Sequence, residues 1–230
     1  FLNLPRRIQF KDGSEISYLY SADGTKLQTT HIIAGNTTTT DYCGNVIYEN
    51  GSRDKLLTEQ GYFSIADKKF HYYIQDHQGN NRVVASQDGT IEEVNHYYPF
   101  GGLFAIYSSA QPYKYNGKEL DRKAGLDWYN YGARQYDPVL GRWHTMDLMA
   151  EKYYKVSPYV YCLNNPILLI DPNGMWPTWG GISRGLSNAF KGTLSFTNGA
   201  ARAVADNMFL GQTSLRETGI YSNAAAYNAG

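Results

Sequence analysis

"YLYSADGTKLQ", residues 18–28, reads as strand, turn, strand. Asp23-Gly24 supplies the positive φ angles that a tight hairpin turn requires, and the residues on either side alternate as a half-buried strand does. The same signal recurs at Asp12-Gly13, Asn50-Gly51, Asp88-Gly89 and Asn116-Gly117, with Gly44-Asn45 and Gly79-Asn80 as further turns. Between them lie "EISYLYS" (15–21), "RVVAS" (82–86) and "TIEEVNHYY" (90–98). No helical period interrupts this rhythm from residue 1 to about 115, which predicts an all-β fold. A second unit, "YIQDHQGNNRVV" (73–84), repeats the first: an aromatic, a glycine-centred turn, then a polar-to-apolar strand. Such self-similarity predicts stacked hairpins, each unable to bury a face alone.

Composition agrees with an extended β surface. Tyrosine stands out, with 21 among 230 residues, and aromatics reach 15% against 18% charged. Tyrosine pairs well across strands and tolerates a half-wet face. The 21 basic and 21 acidic residues balance, so no global field selects a nucleic acid or an anionic membrane as partner. No apolar run approaches the roughly 18 residues of a spanning helix, so no integral membrane segment is expected. Cys43 and Cys162 form no Cys-x-x-Cys pair; lone thiols are expected, with one disulfide left open. The five histidines, His31, His71, His77, His96 and His144, show no metal-ligand spacing, so neither metal nor cofactor is expected. The chain opens mid-pattern without a leader, which suggests a piece of a longer protein.

Residues 18–28 begin a resemblance that later stretches strengthen. "NHYYPFGG" (95–102), "YKYNGKELDRKAGLDWYNYGARQYDPVLGRWHTMD" (113–147) and "SPYVYCLNNPILLIDPNG" (157–174) resemble, in order and spacing, the Rhs repeat-associated core segment that closes arrays of YD repeats. The resemblance divides the chain into YD-type hairpin repeats over 1–95, the core segment over 96–175, and a linker or pre-toxin tail over 176–230. It implies a hollow shell of β-hairpins, an irregular plug rich in glycine, proline and tyrosine, and a C-terminal toxin as the enclosed partner. The tail is alanine-, glycine- and serine-rich. Its apolar residues, Ile182 to Leu194 and Ala201 to Met208, recur at helical spacing, so a partly helical tail is expected.

In relatives of this kind the core segment acts as an aspartyl autoprotease. The resemblance places the catalytic carboxylates at Asp147 and Asp171, an assisting guanidinium at Arg142, and the scissile bond between Met175 and Trp176. Two carboxylates that share a proton can activate water and protonate the leaving amine. Asp171 keeps the motif intact in "DPNG", whereas Asp147 opens "DLMAE" without the usual proline and glycine. Each residue also has a plain structural use: Asp171 as a turn former and Asp147 as the cap of a short helix.

Three functions follow: a container that encloses a toxin, a chain that cuts itself once to free that toxin, and a surface adhesion or carbohydrate-binding module. The first two imply the rest of the shell, a C-terminal toxin, an immunity protein or secretion apparatus as partners, and a secreted or cell-surface location in a bacterium. Uncovered sheet edges would also favour self-association.

Overall fold

The computed structural model describes residues 2–106 and 110–179. The hairpin rhythm becomes one eleven-stranded antiparallel meander in strict chain order. Its strands are β1 (Arg7–Gln9), β2 (Glu15–Tyr20), β3 (Lys26–Ile33), β4 (Asn36–Cys43), β5 (Val46–Glu49), β6 (Ser52–Thr58), β7 (Gly61–Ser64), β8 (Lys69–Gln75), β9 (Asn81–Ser86), β10 (Ile91–Tyr97) and β11 (Leu103–Ile106). β10 and β11 continue the sheet to residue 106.

The turns form where the Asp-Gly and Asn-Gly steps stand. Asp12, Asp23 and Asp88 each accept the backbone N–H two residues on, at 2.9, 3.1 and 3.0 Å. Asn50-Gly51 joins β5 to β6 as a two-residue loop with φ of 49° and 78°. "DHQGNN" is likewise a turn, with Asp76 holding the N–H groups of Gln78 and Asn80 and the Arg82 guanidinium.

Strand alternation gives the sheet two unlike faces. Ile16, Tyr18, Thr29, His31, Ile47, Tyr62, His71, Val84, Glu93, Asn95 and Tyr97 lie on one face and are buried. Leu19, Ile32, Phe70, Tyr72, Ile74 and Ile91 occupy the other and are exposed. What covers the first face is the segment after residue 110. It folds into a small antiparallel sheet of β12 (Glu119–Asp121), β13 (Trp128–Asn130), β14 (Gln135–Asp137) and β15 (Arg142–Trp143). Two 3-10 turns follow, Ala150–Tyr153 and Cys162–Asn164, and then a two-stranded ribbon of β16 (Leu169–Ile170) and β17 (Thr178–Trp179).

The core of this plug is aromatic: Tyr97, Tyr115, Tyr129, Tyr131, Tyr136, Trp143 and Tyr161 pack with Leu120 and Cys162. Rings meet edge to face, as Tyr131 and Trp143 do at 5.1 Å and 88°, the arrangement their quadrupoles favour. Tyrosine rather than phenylalanine is used because the backbone here is too irregular to satisfy itself. The Tyr129 and Tyr136 hydroxyls donate to the carbonyls of Gly101 and Phe100 at 2.9 and 2.7 Å, and Tyr115 donates to Pro99 O at 3.0 Å. Tyr131 and Tyr161 both donate to Asn116 Oδ1 at 2.8 Å. The tyrosine run "YNYGARQY" is therefore interior packing. Cys43 is exposed and Cys162 buried, both as free thiols. Of the tail, only Trp176 to Trp179 are among the described residues, and Thr178–Trp179 is a strand; the expected helices lie outside them.

Candidate functional site

The site is built where the start of β14 meets the loop that joins β16 to β17. Arg134 is 2% exposed, and its planar guanidinium lies 4.3 Å over the ring of Trp143. Each of its nitrogens has a partner. Nη2 pairs with Asp147 Oδ2 at 2.7 Å and lies 3.7 Å from Asp171 Oδ2. Nε donates to Gly174 O at 2.6 Å, and Nη1 donates to Pro158 O at 3.3 Å. A rigid fork of five donors suits such a task, which a lysine ammonium could not perform.

Asp171 is 1% exposed. Its Oδ1 accepts the N–H groups of Asn173, Gly174 and Met175 at 3.3, 2.8 and 3.1 Å, so the carboxylate closes the DPNG turn onto itself. Gly174 has φ of 75°, and a Cβ there would meet Arg134 N and Tyr131 Cβ at 3.1 Å. Burial lifts the Asp171 carboxyl above its usual range despite these N–H groups and the neighbouring Arg134. Asp147 Oδ1 accepts the N–H of Met149 at 2.7 Å, two residues on, while the 3-10 turn Ala150–Tyr153 has Met149 at its cap position and no side-chain cap bond. The turn-forming use of Asp171 is thus present, whereas Asp147 bonds only the N–H two residues on and is not the cap of the short helix; both converge on one guanidinium.

A cavity of about 20 Å³ opens among Arg134, Asp147, Asp171, Ser157, Trp176 and Pro177. That is room for a single water beside polar partners. Residues on both sides of the Met175–Trp176 bond reach the site: Met175 N–H through Asp171, and Trp176 as part of the cavity wall.

Arg142 is not brought to the pair. It is exposed on β15, opposite Asp137, and lines a different and larger groove with Tyr98, Phe100, Val139 and Leu140. The reason is strand alternation: Trp143 is 3% exposed and points inward, so its neighbour Arg142 points out. That alternation was readable in "GRW". Arg134 carried a weaker signal, a lone arginine amid the aromatic run "YNYGARQY". Among the described residues no cluster of three or more metal-ligating side chains occurs.

No family model matches the chain. The Salivary gland surface protein 1 of Aedes aegypti is 39% identical over 112 residues, 47% of this chain and 3% of that protein. The toxin subunit YenC2 of Yersinia entomophaga is 38% identical over 96 residues, 39% of this chain and 10% of that one. The chain thus spans only a small part of the length of these relatives. Among solved structures, the crystal structure of TcdB2–TccC3 shares the fold over 74% of this chain and 10% of that one, with a TM-score of 0.59 at 21% identity. The hairpin meander and these relatives agree with the resemblance to Rhs/YD-repeat proteins, and the chain shares the fold of TcdB2–TccC3.

Proposed function

We propose that these residues form the closing stretch of a β-hairpin container that holds a C-terminal toxin, and that the same stretch cuts its own backbone once, after Met175. The observation that carries the cut is the convergence on Arg134 of Asp147, Asp171 and the carbonyl of Gly174, one residue before the bond. Arg134 fixes the chain and keeps two buried carboxylates together. Asp147, ion-paired to it, is the base toward a water held in the small cavity. Asp171, raised by burial, is the acid. The water oxygen bonds to the Met175 carbonyl carbon, the carbon–nitrogen bond to Trp176 breaks, and the amine leaves with the proton from Asp171. The glycine turn brings the bond within reach, since positioning governs such a step. A secreted location, and partners in the remaining shell, an immunity protein or a secretion apparatus, belong to the same reading. The YenC2 likeness supports it.

Intact mass spectrometry of the purified chain tests this beside Asp147→Asn, Asp171→Asn, Arg134→Lys and Arg142→Ala. The wild type and Arg142→Ala should split between Met175 and Trp176, and the other three should stay whole. An uncut 25.9 kDa wild type would overturn the protease. That outcome would favour a second reading, a surface adhesion or carbohydrate-binding module. It is supported by an open groove of about 520 Å³ lined by Tyr98, Phe100, Leu103, Val139, Leu140 and Arg142, and by the likeness to a surface protein.

A further inference from the structure

A second buried constellation lies away from the candidate protease site, where the last full hairpin meets the plug. Glu93 and Asn95 stand two residues apart on β10 and so share its covered face. Lys114 reaches them from the segment that precedes β12. Each of the three is 1% exposed. Lys114 Nζ and Asn95 Nδ2 both lie against the same oxygen, Glu93 Oε1. Glu93 Oε2 accepts the N–H of Ala110 at 2.8 Å, and Gln111 Nε2 sits 3.5 Å from Oε1. Asn95 Nδ2 also donates to Asn81 O at 3.0 Å, which holds the amide group in place, while Asn95 Oδ1 is buried with no partner among the described residues.

A plain ion pair accounts for this poorly. An ammonium has three N–H donors, and Glu93 Oε1 is the one acceptor found for Lys114 Nζ among the described residues. Burial draws the Lys114 amine below its usual range, against the pull of Glu93, which favours the neutral, nucleophilic form. An amine, a carboxamide and a carboxyl group sealed from water are the requirements for amide exchange: nucleophile, electrophile and proton carrier, without hydrolysis in competition.

We propose that Lys114 and Asn95 condense into an intramolecular isopeptide bond, with Glu93 as the proton shuttle. The neutral amine of Lys114 bonds through its Nζ lone pair to Asn95 Cγ, and the Glu93 carboxylate accepts one of the two protons on that nitrogen. Glu93 returns the proton to Nδ2, the Cγ–Nδ2 bond breaks, and ammonia leaves. No electron is gained or lost, and no co-reactant is required. The product amide N–H remains against Glu93. The bond staples β10 to the plug, a covalent fastening between wall and closure.

Mass spectrometry of the full chain under denaturing conditions decides this. Both residues precede Met175, so the result reads equally in a cut or an uncut chain and stands apart from the protease test. A mass lower by one ammonia, with a branched proteolytic peptide joining Asn95 to Lys114, is expected. The full calculated mass would overturn the proposal. Loss of one water would place the bond on Glu93 and overturn the assignment to Asn95. Loss of ammonia without the branched peptide would be a succinimide at an Asn-Gly step (Asn50-Gly51, Asn116-Gly117, Asn173-Gly174 or Asn198-Gly199), and would overturn it too. Lys114→Arg and Glu93→Gln should restore the full mass, and Asn95→Asp should lose water in place of ammonia. Should any variant fail to fold, the wild-type branched peptide still decides.

Discussion

Removing the Arg134 guanidinium would leave Asp147 and Asp171 buried without their shared counter-charge. Breaking a buried pair by deleting one partner costs about 3–5 kcal/mol, so Arg134→Ala should lower the urea midpoint by that equivalent. An unchanged midpoint would mean that solvent reaches the site. Asp171 adds a pH dependence whose sign is fixed by its raised carboxyl. The folded chain keeps a proton that the unfolded chain releases above the usual aspartate value of about 3.9. Stability from this group is therefore complete below that value and is lost as pH rises through the raised one. Urea midpoints measured upward from about pH 4 should fall more steeply in the wild type than in Asp171→Asn. Parallel slopes would show that Asp171 is not buried as described. Asp171 was legible in the sequence because a D-P-x-G turn is local chemistry, and Asp147 only through the family resemblance, since "DLMAE" lacks the proline and glycine. Arg134 was not, because its partners come from segments 13 and 37 residues further along, brought together only by packing.

At the scale of elements, a turn is as legible as the chemistry of its own residues. Asp-Gly and Asn-Gly steps announced four of the ten turns of the long sheet. The β3–β4 turn did not announce itself, since Ala34 there takes φ of 49° beside Gly35 without the asparagine or aspartate that tolerates that region. Some glycines do more than turn. Gly101 closes the loop between β10 and β11, its N–H donating to Tyr98 O at 2.8 Å, with φ of 87°. A Cβ there would sit 2.6 Å from the Tyr115 ring. Gly89 has nearly the same φ, 86°, and open space around it. Gly89→Ala should therefore cost about 1 kcal/mol of backbone strain, and Gly101→Ala about 2–4 kcal/mol, since it adds overpacking to that strain. Thermal unfolding of the two variants checks the difference. Equal shifts would mean that the close approach of turn and ring does not exist in solution.

Across the whole molecule, the long sheet and the plug are joined by polar contacts that neither could make alone. On β12, Glu119 takes the Lys26 ammonium at 2.6 Å and the Tyr42 hydroxyl, and Asp121 takes the Tyr18 hydroxyl at 3.0 Å and His31 Nε2 at 3.0 Å. These partners stand 77 to 103 residues apart in sequence, which is why no local pattern revealed them. Burial and the neighbouring Asp121 carboxylate push the Tyr18 phenol well above its usual range, so it stays a donor at any ordinary pH. If this seam makes one cooperative unit, sheet and plug must melt together. The sequence provides two separate probes. All four tryptophans, Trp128, Trp143, Trp176 and Trp179, lie in the plug or its ribbon, while far-ultraviolet circular dichroism is dominated by the eleven-stranded sheet. In the Asp171→Asn background, which should stay uncut, fluorescence and dichroism should give coincident urea transitions. Asp121→Ala strands the Tyr18 hydroxyl and His31 Nε2 without an acceptor, a loss of about 2–4 kcal/mol, and should move both transitions together. A fluorescence transition that shifts while the dichroism transition stays would show that the plug unfolds by itself. The sheet would then be a free-standing wall on which the plug merely rests.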